Sequence, residues 1–127
     1  MRGTVGVVHA LDVLGDPVRR ALLDELRERG GGTAGAPVAA GELAGVMREV
    51  FGISQAAVSQ HLGVLREHGF VTVVPQGRRR LYSIGGPGWA EVTDWVDAYR
   101  DFWEQRLDAL DTELRRGRRA AEGRSTS

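Results

Sequence analysis

Apolar residues recur at steps of three and four along most of this chain, and glycine, proline or a short polar residue interrupts each run. Val7, Val8, Leu11 and Leu14 have helical spacing and predict a first helix. Beyond Gly15, Asp16 followed by Pro17 is an N-cap and first-turn pair, and Val18, Leu22 and Leu26 share one face of a second helix that ends near Gly30. A third, short helix directs Leu43, Val46, Met47 and Val50 inward; Gly52 breaks it, and Ser54 caps a fourth from Gln55 to His68. That fourth helix keeps Val58, Leu62 and Leu65 at i, i+4 and i+7, and Gly69 closes it. The pattern then changes: residues 70–74 and 79–84 read as two strands around a Pro75-Gln76-Gly77-Arg78 turn. A last helix begins near Trp89, after Pro87. It carries Trp89, Val92, Val96, Tyr99, Trp103, Leu107, Leu110 and Leu114 on a seam of about seven turns, widened by Trp95 and Phe102.

Four helices, a β-hairpin and a long terminal helix make a mainly α fold with a β-hairpin wing, the order of a winged helix-turn-helix. A chain of 127 residues fits one domain. Residues 1–114 are expected to form it, with residues 115–127, polar and interrupted by glycine, as a basic disordered tail. The terminal seam offers more apolar surface than a small body can cover, so a homodimer is expected. It would pair through Val7, Leu11, Trp89, Val92, Val96, Tyr99, Trp103, Leu107 and Leu110.

Composition changes the picture chiefly by exclusion. With no cysteine there is no disulfide, thiolate metal site or thiol nucleophile. No run of 18 apolar residues and no signal segment is seen, so no membrane partner is expected and the default address is the cytoplasm. The net charge is zero but unevenly placed: residues 54–80 hold four Arg against one acid, residues 89–114 two Arg against eight acids, and residues 115–127 five Arg against one acid. A neutral chain can therefore present a basic face to phosphate while another surface stays acidic. Every one of the seventeen basic residues is Arg, whose planar fork suits phosphate and guanine, although base-composition bias would give the same usage. Gly30, Gly32 and Gly35 match a dinucleotide fingerprint by letter only. They follow a helix and run into Pro37, where that fingerprint needs a strand turning into a helix.

The stretches LGDPVRRALLDEL, ISQAAVSQHLGVLREHGFV and GRRRLYSI together resemble the arsenical-resistance repressor (ArsR) family of winged helix-turn-helix regulators, over roughly residues 8–114. With Val58, Leu62 and Leu65 turned to the core, the fourth helix sends Ala56, Ser59, Gln60, Gly63 and Glu67 outward, with Gln55 in its first turn. This small polar face suits a major groove, where Gln pairs with adenine and an Ala methyl touches thymine. The resemblance implies that Gln55, Ala56, Ser59 and Gln60 reach bases of double-stranded operator DNA. His61, on the flank, is a secondary contact or a packing residue. Gly63 stands where the family often has a basic residue, which shifts phosphate binding to the wing. Of Arg78, Arg79 and Arg80, alternation on a strand lets at most two grip one phosphate track, so the third should lie across or return to the body.

Relatives in that family often release DNA on binding metal, and the residues this would need are missing. Where a thiolate pair would lie in the third helix there are Ala44 and Val46; where a terminal-helix zinc site would continue from Asp94 there are Val96, Leu107 and Leu110. His9, His61 and His68 have no helical pairing spacing. No metal, no cofactor and no catalytic site is therefore expected, and an inducer, where one acts, is not named by these residues. The reading is a DNA-binding repressor. Its alternative is a dimeric protein-interaction module that has lost DNA binding and engages a partner through the acidic last helix.

Overall fold

The computed structural model describes residues 9–30 and 36–125. Val7 and Val8, and most of the Gly30–Pro37 loop, lie outside the described residues. Residues 9–14 are helical, α1, and the Gly15 N–H bonds the Asp12 carbonyl at 3.2 Å. Helix α2 (Pro17–Arg29) starts as its sequence dictates. The Asp16 carboxylate accepts from the N–H groups of Val18 and Arg19, at 2.8 and 3.1 Å, and Pro17 takes the first turn, where no backbone donor is needed. It buries Val18, Leu22, Leu23 and Leu26.

Strand β1 (Val38–Ala39) leads directly into α3 (Ala40–Phe51). Gly52 ends α3 at φ 66°, a left-handed conformation that costs glycine little, and its N–H bonds the Arg48 carbonyl. Three residues later α4 (Gln55–Glu67) begins, capped by the Ser54 hydroxyl, which accepts from Ala57 N–H at 3.1 Å. Strands β2 (Val71–Gln76) and β3 (Arg79–Ile84) follow, and the sheet order is β1-β3-β2, antiparallel throughout. Pro75 lies opposite Arg80 on the edge strand β2, where a missing N–H is tolerated. The core is continuous among these elements, with Phe70, Leu22, Leu43, Met47, Leu62, Leu65 and Val58 its largest fully buried side chains.

Two expectations shift, and one short strand is added. In α3 the buried residues are Leu43, Ala44 and Met47, while Val46 is half-buried and Val50 is 65% exposed. Periodicity fixes where a side chain points but not whether a neighbour covers it, and the last turn of α3 is uncovered. The hairpin turn is shorter than expected, two residues instead of four. Pro75 and Gln76 are strand residues, and Gly77 at φ 61° supplies the reversal at the first turn position. The β1 strand, two residues long, carries no pattern of its own.

Helix α5 runs from Gly88 to Ser125, 38 residues. It does not stop at Leu114, because Arg, Ala and Glu are good helix formers and isolated Gly117 and Gly123 weaken a helix without ending it. Arg115 also reaches back one turn to Asp111 at 2.9 Å. The chain divides into two compact units within α5, the first through Val92 and the second from Thr93. In the first, Trp89 packs edge-on against Phe70, with centroids 5.0 Å apart, and its indole N–H donates to the Phe70 carbonyl at 2.9 Å. The described residues of the second are all helical; Val96, Tyr99, Phe102, Trp103, Leu107 and Leu110 are exposed along it.

Candidate nucleic-acid interface

Because Val58, Leu62 and Leu65 hold α4 against the core, the opposite side of that helix is committed to solvent, and Gln55, Ala56, Ser59, Gln60 and Gly63 are all exposed there. A Cβ added at Gly63 would meet no atom within 4 Å, so the position is open and uncharged. Across from this face, pairing of β1 with β3 sets the wing beside the start of α3: Ala39 lies opposite Leu81, next to Arg80. The result is an open groove of about 620 Å³, lined by Gln55 and Ser59 from α4, by Arg78, Arg79 and Arg80 from the wing, and by Glu42 with residues 39–41. The fold thus brings two of the expected base-reading residues together with all three wing arginines. Ala56 and Gln60 are exposed on α4 outside that lining.

His61 is placed differently. It is half-buried, and its Nδ1 lies 3.4 Å from the Arg19 guanidinium and 4.0 Å from the Asp16 carboxylate. Arg19 is itself held by the carbonyls of Val13, at 2.7 Å, and Asp12, at 3.4 Å. These contacts tie the middle of α4 to the corner between α1 and α2. Partial burial there opposes ionisation of Asp16. The N–H bonds from Arg19 and Val18, with His61 and Arg19 as neighbours, outweigh it and hold the carboxyl below its usual range.

The wing arginines are not equivalent. Arg79 turns back toward the body, its guanidinium 3.9 Å from the Glu42 carboxylate, whose other oxygen lies 3.4 Å from Arg29. Arg29 is also bonded to Glu25 at 3.0 Å. Glu42 and Arg29 escaped the sequence reading. Nothing in their spacing signals a neighbourhood that arises only when β1 joins the sheet. The fold also stacks His9 against His68, centroids 6.5 Å apart, although nothing in the sequence pairs them. Among the described residues no group of three or more His, Asp or Glu is arranged to hold a metal ion, and no helix is long and apolar enough to cross a membrane.

Comparison with known proteins bears on the family and the fold. A family profile described as "Helix-turn-helix domain" matches residues 14–74, from the end of α1 into the wing. The chain is similar to the HTH-type transcriptional regulator Rv2034 of Mycobacterium tuberculosis, 36% identical over 99 residues, 78% of this chain and 79% of that protein. Among solved structures it resembles an ArsR family transcriptional regulator, RHA00566, at 26% identity and a TM-score of 0.61, covering 80% of this chain and 93% of the other. It shares its fold with the homodimeric winged helix-turn-helix DNA-binding domain Mb0332 of Mycobacterium bovis. That match has 22% identity and a TM-score of 0.55, over 77% of this chain and 81% of the other.

Proposed function

The chain belongs to the ArsR family of winged helix-turn-helix transcriptional regulators, DNA-binding proteins and not enzymes, and on that premise we propose that it is a repressor that binds an inverted-repeat operator as a homodimer. The observation that carries the proposal is the shared groove: Gln55 and Ser59, aimed outward from α4, and Arg78 to Arg80 of the wing open onto the same space. Gln55, Ala56, Ser59 and Gln60 read base edges in the major groove while Arg78 and Arg80 hold the adjoining phosphates. His61 does not reach the bases in this reading; through Arg19 and Asp16 it sets the angle at which α4 is presented.

The homodimer rests on the exposed stripe of α5, centred on Val96, Tyr99, Trp103, Leu107 and Leu110. Trp89 and Val92 pack on the core of their own subunit, so they support the seam from its base. Selection of bound duplexes from a random library tests the whole reading at once. Enrichment of an inverted repeat is expected. A library that remains random after successive rounds at low salt would remove DNA from the account.

A further inference from the structure

Glu42 is an acid in the lining of a groove whose other charged residues are wing arginines, and its position needs more than helix chemistry to explain it. An acidic residue in the first turn of α3 is stabilised by the helix N-terminus. That accounts for a carboxylate at position 42 but not for its two cationic neighbours. One, Arg29, comes from the end of α2, and the other, Arg79, from the wing strand β3. The carboxylate offers these guanidinium groups two anionic oxygens, which is what a DNA phosphate would offer them.

Resting on the DNA-binding reading above, we propose that Glu42 is an internal phosphate surrogate: it engages Arg79 of the wing in the free protein and must give it up when the wing meets DNA. Arg79 then exchanges one anion for another, taking a phosphate outside the track held by Arg78 and Arg80, while Arg29 keeps its hold on Glu42 and limits the cost of leaving that carboxylate beside the duplex. The exchange is blind to base sequence. Glu42 therefore lowers affinity for operator and random DNA by the same factor and leaves their ratio intact, acting as a brake on the wing. Such a brake shortens the time spent on nonspecific DNA without any loss of discrimination.

The test is Glu42→Gln, which keeps a polar side chain of the same length at the start of α3, alone and combined with Arg79→Gln. Circular dichroism serves as the check on folding. Binding to the selected operator and to a random 30-base-pair duplex is measured over a range of salt. Glu42→Gln should tighten both by roughly twofold to fivefold, the size of one exposed charge pair, and should steepen the salt slope by up to about one counterion. In the Arg79→Gln background the gain should disappear, and in the free protein Glu42→Gln should move the Arg79 side-chain Nε–H resonance. No gain in affinity, an equal gain without Arg79, or a gain confined to one of the two duplexes would overturn the brake while leaving DNA binding in place. An Arg79 resonance that responds to Glu42→Gln in a protein that binds neither duplex would instead overturn the DNA-binding reading, and the brake with it.

Discussion

Asp16 does two jobs at the corner between α1 and α2: it caps α2 and it faces the Arg19–His61 pair that steadies α4. Its folded carboxyl titrates below its ordinary value, so its contribution is complete above the unfolded carboxylate value of about 4 and is lost as pH falls through the lower folded one. Asp16→Ala should cost about 0.5–2 kcal/mol at neutral pH, read as a fall in Tm at fixed protein concentration. Asp16→Asn should retain the cap and flatten the acid limb of the Tm–pH curve; an unchanged acid limb would contradict the linkage. On α4, Gly63 has open space around its Cα, so Gly63→Ala should raise stability by up to about 1 kcal/mol with no steric cost. The reading residues act in a different measurement. Ser59→Ala and Gln60→Ala should reduce the preference for operator over random DNA, with a bidentate base contact worth about 1–3 kcal/mol. Equal loss on both duplexes would mean that another face of α4 meets the bases.

At the scale of elements, the proposed function assigns affinity to the wing and specificity to α4. Arg78→Ala and Arg80→Ala should weaken binding to every duplex alike and flatten the salt slope by up to about one counterion per lost phosphate contact. Measurement at four or five salt concentrations decides it, since an unchanged slope in both variants would take the wing off the phosphates. The turn, α4 and the wing were legible in the sequence because these elements announce themselves locally. Ser54 and Gly52 mark the turn, Val58, Leu62 and Leu65 fix which face of α4 is free, and the wing is an arginine run beside a glycine turn. What the sequence could not display depends on pairing between distant segments. Two residues of β1 are too few to show a period, yet by joining β3 they carry Glu42 to Arg79 and make the groove floor. Similarly, the sequence leaves His61 open between a secondary contact and a packing residue until α1 and α2 bring Asp16 and Arg19 beside it. The end of α5 was misjudged for a simpler reason. Charge and glycine content suggested a tail, whereas the run of Arg and Ala propagates a helix that already exists.

For the molecule as a whole, the deciding feature is the exposed apolar stripe on α5. Trp103 is 57% exposed and Leu107 59%, in a row with Val96, Tyr99 and Leu110, and scattered exposed hydrophobics do not line up in this way. An apolar interface of about 1,000 Å² would contribute an area term near 25 kcal/mol before the entropic costs of association, enough for a dimer that does not come apart at working concentrations. Two-fold pairing also matches the ligand, because a dimer carries two copies of α4 and duplex DNA has its own local two-fold axes. The half-site centres of the operator should therefore lie about one helical turn apart, roughly 34–36 Å, or a multiple of that. Trp103→Asp places a charge in the middle of the stripe, outside the unit that holds α4 and the wing. It should yield a folded monomer by light scattering, with operator affinity reduced far more than affinity for a single half-site, since the second half-site no longer binds as part of the same molecule. A wild-type protein that is monomeric at micromolar concentration would overturn the dimer. So would a Trp103→Asp variant that stays dimeric and binds the full operator normally.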